Sequence, residues 1–256
     1  MGKVYITGDV HGDFFGRFGS TPFPEGKELC REDYVIVLGD FGIWHDTPTE
    51  RYALDWLEGK SFTVLFCDGN HENYDRLYHD FPEIDFMGGR AHKIRENIYH
   101  LMRGYVFDIC GKKFFCFGGA SSHDIQDGIV EPSDFKSTDE MKLHIKMKQR
   151  RGEIFRVNHL SWWKEEMPSF AERNRGYESL IAVDYKVDYV ISHCCPHSIE
   201  TEMSYGMYKG DELTRYFDEL LTMGLEFKHW FYGHYHVDRD YYCKYHARYE
   251  KIERII

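Results

Sequence analysis

The stretch Val4-Tyr5-Ile6-Thr7-Gly8-Asp9-Val10-His11-Gly12 opens with four residues that suit a buried strand, then breaks at a glycine into an acid and a histidine. The same order recurs twice nearby. Tyr34–Leu38 runs into Gly39-Asp40-Phe41-Gly42, and Phe62–Cys67 runs through Asp68 into Gly69-Asn70-His71-Glu72. Short apolar runs bounded by turn residues read as strands covered on both faces. Between the second and third, Thr49–Glu58 places Leu54 and Leu57 at helical spacing. Further along, Tyr105–Ile109 and Lys113–Phe117 flank Cys110-Gly111-Lys112 as the arms of a hairpin, while Asp188–Ser192 and His229–Tyr232 read as two more strands. Asp211–Leu221 is the clearest helix, with Leu213, Tyr216, Phe217, Leu220 and Leu221 along one face. The tail from Tyr241 to Ile256 is expected to complete a sheet. Strands spread over the whole length make this an α/β chain.

Composition narrows the function classes. The 256 residues are 42% hydrophobic and 17% aromatic, enough for the core of one large domain or two small ones, and with no repeat or linker along the chain a single domain over 1–256 is expected. Lys and Arg number 32 against 43 Asp and Glu, a net charge of −11, which argues against a protein that grips duplex nucleic acid through phosphates. No apolar run reaches the ~18 residues of a membrane helix, and the N-terminus enters a strand with no leader-like segment. The seven cysteines contain no Cys-x-x-Cys pair, so a reducing, cytoplasmic setting is expected.

One segment differs from the rest. From Met141 the residues Met-Lys-Leu-His-Ile-Lys-Met-Lys alternate apolar and polar, the period of a half-exposed strand, with a short helix as the competing reading. Arg150-Arg151-Gly152-Glu153 offers a turn and Ile154–Val157 a return, so Lys142–Val157 is expected to project as a hairpin. Lys136–Arg156 carries seven basic residues against three acidic ones, and this basic insertion, around 136–157, reads either as a solvated arm or dimer contact or as a device that steers anions through Arg150 and Arg151.

Five clusters stand at or just after strand ends: Gly8–Gly12, Gly39–Gly42, Gly69–Glu72, Ser192-His193 and Gly233-His234-Tyr235-His236. Taken singly each is ordinary turn chemistry. Together they gather oxygen and imidazole donors where open α/β sheets bind ligands, a donor set suited to Mn, Fe, Zn and similar divalent ions. Their glycines permit sharp turns and close backbone approach.

In this order the series Asp-x-His, Gly-Asp, Gly-Asn-His-Glu, His and Gly-His-x-His resembles the calcineurin-like metallophosphoesterase superfamily, from Gly8 to His236. Gly39–Gly42, Gly118-Gly119-Ala120-Ser121 and Ser161-Trp162-Trp163 are similar to a bacterial and phage-type subgroup. The resemblance implies the metallo-dependent phosphatase fold, a four-layer αββα sandwich of two mixed β-sheets flanked by helices. It implies two divalent ions, one held by Asp9, His11 and His236, the other by Asn70, His193 and His234, with Asp40 bridging. It also implies hydrolysis of a phosphoester by in-line attack of a metal-bridging hydroxide, with His71 as general acid. The expected partner is a small phosphorylated substrate: a phosphomonoester, a phosphodiester or a dinucleoside polyphosphate. A non-catalytic scaffold on this fold is the contrasting reading, and the complete ligand set weighs against it.

One departure matters. In the protein Ser/Thr phosphatases the Gly-Asp motif continues into an Asp-Arg pair that orients the motif histidine; here Ile43 and Trp44 stand there, leaving Asp46 as the candidate orienter of His71. Arg17, Arg76, Arg90 and Arg103 are each candidate phosphate contacts, with a solvated surface position as the more ordinary reading of an arginine. At most one of Trp162 and Trp163 lines a pocket, since adjacent side chains diverge. Cys194 and Cys195, next to His193, are expected to pack rather than bind zinc.

Overall fold

The computed structural model describes residues 2–256. The chain order begins with β1 (Val4–Thr7), α1 (Phe14–Phe18), β2 (Tyr34–Leu38), α2 (Pro48–Glu58), β3 (Thr63–Cys67) and α3 (Tyr74–His79). Then come β4 (Glu83–Phe86), β5 (Gly89–Arg95), β6 (Ile98–Leu101), β7 (Tyr105–Ile109), β8 (Lys112–Phe117) and β9 (Ile129–Val130). They are followed by α4 (Thr138–Arg150), β10 (Arg156–Val157), α5 (Phe170–Ile181), β11 (Tyr189–Ser192), α6 (His197–Ser204) and α7 (Glu212–Thr222). The chain closes with β12 (His229–Tyr232), β13 (Arg239–Tyr241), β14 (Tyr245–Ala247) and β15 (Glu253–Arg254).

Two mixed sheets form, ordered β15-β1-β2-β3-β6-β5-β4 and β13-β14-β12-β11-β8-β7. In the first, β1, β2, β3 and β6 run parallel; in the second, β8, β11, β12 and β14 do. The period-2 alternation of a strand splits each central strand between two cores. Val35 and Val37 of β2 face α1, α2 and α3, whereas Ile36 and Leu38 face the second sheet. Phe114 and Cys116 of β8 meet them there, and Phe115 and Phe117 turn outward to α5, α6 and α7. Both faces are therefore covered, which is why these strands carry no polar alternation. The αββα sandwich expected from the sequence is the architecture observed.

The amphipathic helices behave as their spacing predicts. Asp211 caps α7 by accepting the N–H groups of Leu213 and Thr214, both at 2.8 Å, and Leu213, Tyr216, Phe217 and Leu220 are buried against the second sheet. The C-terminal tail is less simple than a single sheet completion. It divides, with β13 and β14 extending the second sheet and β15 pairing antiparallel with β1 in the first.

The segment expected to project as a hairpin, Lys142–Val157, is not one. Its first nine residues belong to α4, and only Arg156 and Val157 are strand, paired parallel with Ile129 and Val130. An alternating pattern makes a strand only where a sheet can bury its apolar side. Here no residue of α4 is buried, with Leu143 61% and Met147 48% exposed. Helix propensity and capping then decide. Ser137 Oγ accepts the Glu140 N–H at 3.2 Å, while the Glu140 carboxylate accepts the Lys136 N–H at 2.9 Å. Asp139 and Glu140 in the first turn and Lys148 and Arg150 in the last complement the helix dipole.

All seven cysteines are free thiols. Among the described residues, no helix is long and apolar enough to cross a membrane.

Candidate metal centre

Five loops converge at the C-terminal ends of parallel strands from both sheets. Asp9 and His11 follow β1, Asp40 follows β2, Asn70 and His71 follow β3, His193 follows β11, and His234 and His236 follow β12. Strained backbone marks the convergence: His11, Asp40, His234 and His236 all have φ between 47° and 65°. Non-glycine residues held in that region cost of order 1–3 kcal/mol each, so the surrounding structure must enforce them. Part of the enforcement is Glu72, fully buried, whose carboxylate accepts the N–H groups of Phe41 (2.6 Å), Gly42 and Ile43 (both 3.4 Å) and pins the loop behind Asp40. Burial raises the Glu72 carboxyl well above its ordinary value, with the Asp40 charge adding to the effect.

The glycines of the motifs are explained by crowding. A Cβ on Gly39 would strike the His193 ring, one on Gly69 the Asp40 carboxylate, and one on Gly233 the Asp9 carboxylate. Only glycine lets these side chains come together.

Donor atoms of Asp9, His11 and His236 lie within 4.8 Å of one another, and so do those of Asp9, Asp40 and His193. His236 Nε2 is 3.1 Å from Asp9 Oδ2, and His11 Nε2 faces His236 Nε2 at 3.3 Å. Asp40 accepts the His71 backbone N–H on Oδ1 at 2.8 Å; its Oδ2 lies 3.4 Å from His193 Nε2 and 3.9 Å from His11 Nδ1. Asp40 thus reaches toward both groups, as a bridge should, and Asp9 is common to both. His193 donates from Nδ1 to the Leu38 carbonyl at 2.6 Å, which turns Nε2 inward, 3.2 Å from Asn70 Oδ1. The His234 ring stands 5.0 Å from that of His193, centroid to centroid.

This donor set fits divalent cations. The buried Asp9 carboxylate has His236 Nε2 at 3.1 Å against its Oδ2, so negative charge is held beside the imidazoles where a cation would offset the cost of burying it. Burial lowers His234 to about 3, helped by His193, so its ring is neutral and carries a lone pair. Burial disfavours charge on Asp40 and His193 alike, yet their mutual attraction wins, holding Asp40 low and His193 high. The carboxylates draw positive charge to this point.

Residues 2–238 match the profile of the calcineurin-like phosphoesterases. The chain belongs to that family. Membership makes it a metal-dependent phosphoester hydrolase. Among solved structures it is similar to the phosphopantetheinyl hydrolase of Mycobacterium tuberculosis, at 16% identity and a TM-score of 0.42, over 97% of this chain and 90% of that one. No curated protein matches it significantly.

Within this phosphoesterase site, His71 stands between two cavities. One, of about 980 Å³, is lined by Asp40, Asn70, His234 and His236 and extends past Ser121 and His123 to Tyr208 and Lys209. The other, of about 320 Å³, is walled by His11, Trp44, His45, Arg156 and Trp163. The His71 backbone is gripped at both ends, its N–H by Asp40 and its carbonyl by Trp44 Nε1 at 2.9 Å. Burial lowers the His71 pKa, against the pull of Asp40.

Of the remaining candidates, Arg17 lines a third cavity beside Asp9 and His11, Trp163 lines the smaller one, and the others fall elsewhere. Asp46 turns to Arg51 and Arg76, 3.6 and 3.5 Å away, so it does not orient His71. Arg17 donates to Thr7 Oγ1 and to the carbonyls of Asp9 and Tyr249, bracing the β1 loop against the C-terminal tail. Arg150 and Arg151 are exposed on the far end of α4, outside both cavity walls, and Arg151 pairs with Glu153 at 2.6 Å. Arg76 pairs with the largely buried Glu50 and with Asp80, Arg90 pairs with the surface acids Glu83 and Asp85, and Arg103 is buried on Asp68. Trp163 lines the smaller cavity while donating to Asp75 at 2.7 Å, and Cys194 and Cys195 are packed in the core.

Sequence reasoning missed two groups. Arg156 was only one charge in a basic run, but it reaches the cavity wall and pairs with Asp124. Ser122 and Glu166 lie behind Asn70, and no local pattern joins residues so far apart.

Proposed function

We propose that the whole of 1–256 works as one two-metal phosphoesterase domain, with the helical 136–157 segment as an insertion. In this reading Asp9, His11 and His236 hold one ion, Asn70, His193 and His234 the other, and Asp40 bridges. The observation that carries it is that the donor atoms of Asp9, His11 and His236, and those of Asp9, Asp40 and His193, gather within 4.8 Å of one another, with Asn70 Oδ1 and the His234 ring against His193. When bound, divalent ions supply Lewis acidity toward phosphoryl oxygens and activate water.

The chain's own residues then have distinct tasks. His193, with Nδ1 committed to Leu38, directs its Nε2 inward. Asp40 holds the His71 main chain on one oxygen and offers the other to the centre. His71 delivers a proton from its ring to the departing oxygen; its gripped backbone fixes the ring between the two cavities. Arg156, rather than Arg150 or Arg151, is the cation placed to meet substrate in the smaller cavity. Seven free cysteines support a reducing setting such as the cytoplasm.

The two cavities meeting at His71 favour a phosphodiester or dinucleoside polyphosphate over a monoester, because each cavity can take one organic substituent. Mn-reconstituted protein should hydrolyse bis-para-nitrophenyl phosphate with kcat/KM at least about tenfold above that for para-nitrophenyl phosphate. Preference for the monoester would overturn the diester reading, and turnover of neither by metal-loaded protein would overturn the hydrolase mechanism. Asp40→Asn should lose bound metal and activity together.

A further inference from the structure

The Gly118-Gly119-Ala120-Ser121 motif has no place in the ligand set, yet its course is tightly constrained. Gly118 passes against the Asp68 carbonyl and Gly119, at φ +94°, against the Glu166 carbonyl, so closely that a Cβ on either would collide. This close pass delivers the next residue, Ser122, onto the Glu166 carboxylate. Ser122 donates its N–H to Oε1 at 2.9 Å and its hydroxyl to Oε2 at 2.5 Å. Both residues are buried. On its other side Ser122 Oγ accepts from Asn70 Nδ2 at 3.2 Å, and Asn70 Oδ1 faces His193 Nε2.

An asparagine side chain has nearly the same shape either way round, so only its hydrogen-bond partners decide which end is oxygen. An ionised carboxylate can only accept. The Ser122 hydroxyl proton is therefore committed to Glu166, and what Ser122 presents to Asn70 is a lone pair. Only the amide NH₂ satisfies that lone pair. We propose that Glu166 and Ser122 are positioning residues that hold the Asn70 amide oxygen toward the metal centre and so set the affinity of the ion held by Asn70, His193 and His234. This rests on the ligand assignment above.

The direction of the chain of hydrogen bonds makes the idea testable with little change in shape. In Glu166→Gln the amide oxygen takes the Ser122 N–H, and the amide NH₂ donates to Ser122 Oγ. The hydroxyl proton is then turned onto Asn70, where it attracts the oxygen end away from the metal centre.

The experiment is a Mn²⁺ titration of the full chain, with free ion followed by electron paramagnetic resonance. It is run at pH 8, where Glu166, which burial pushes up to about 7, is ionised. Wild type should bind two ions. Glu166→Gln should keep one at wild-type affinity and bind the other about 10–100-fold more weakly, the usual cost of losing a partner behind a ligand. In an Asn70→Asp background, where either end of the side chain is oxygen, Glu166→Gln should have no such effect. Ser122→Ala, checked for wild-type circular dichroism, should weaken the same single site. Unchanged affinity in Glu166→Gln overturns the proposal. So does an equal loss in the Asn70→Asp background, which would assign Glu166 to holding the fold. Fewer than two ions on wild type would instead overturn the ligand assignment on which the proposal stands.

Discussion

The loops that carry the seven converging side chains and the segment 122–168 that walls them in are built on opposite principles. Each loop hangs from a strand buried on both faces; three of the five, after β1, β2 and β12, hold ligand-motif residues at positive φ, and at Gly39, Gly69 and Gly233 the neighbours leave no room for a Cβ. The 122–168 segment has a two-residue strand pair, a helix with no buried residue, and a buried foot formed by Ser122, Trp163 and Glu166. The comparison teaches where precision resides. The residues that gather at the centre are mounted on the sheets, while part of the cavity wall around them is mounted on a segment with little buried structure of its own.

That contrast can be broken at several points, the largest effect first. His71→Ala should lower kcat by ~10²–10⁴ on a substrate with an alkoxide leaving group while metal content is retained. Para-nitrophenolate, which leaves without help, should hide the defect. Near-wild-type turnover of the alkyl ester would remove His71 from its role and with it the importance of the sheet-mounted loop.

The foot of the segment offers the next test, on stability rather than turnover. Burial pushes Glu166 up to about 7, above its ordinary 4.5. The folded chain then holds the proton more tightly than the unfolded one, so stability is full below about pH 4.5 and falls as pH rises through 7. The loss amounts to about 3 kcal/mol for a shift of that size. In metal-free protein, Glu166→Gln should abolish this fall between denaturant melts at pH 5 and pH 8. An unchanged slope would mean that Glu166 is ionised in the folded state throughout.

The smallest effects separate the inner and outer faces of the same segment. Arg156→Ala should raise KM for the diester about tenfold, the order expected for one charged hydrogen bond. Charge reversal at Arg150 and Arg151 should change kcat/KM less than about twofold at physiological salt, where a Debye length of about 8 Å screens exposed charge. A drop at low ionic strength that recovers as salt rises would return anion steering to these two residues.

The same division governs what was legible in the sequence. Strands such as Val35–Leu38 show as unbroken apolar runs because both faces meet a core, and the motif histidines show because they sit at fixed offsets from glycine. The alternation of Met141–Lys148 carries no such force, since periodicity reports burial only when something is buried. Ser137 and Glu140 form the Ser-x-x-Glu pattern of a helix start, a local signal that the reading of the alternation left unused. Arg156 with Asp124, and Asn70 with Ser122 and Glu166, are joined across 32 to 52 positions by tertiary geometry that one sequence cannot display.

The pairing of β15 with β1 bears on how the protein comes to be made. The strand that presents Asp9 is flanked on one side by β2 and on the other by the last residues of the chain, and Tyr249 stacks on the His236 ring 4.5 Å away. A ribosome feeds the chain out from the other end. The β1–β2–β3 ladder can form early, but its outer edge stays open, and His236 lacks its aromatic neighbour, until residues 249–254 emerge. Asp9, early in the chain, is thus fully enclosed only after residues more than two hundred positions later have joined the edge of its sheet.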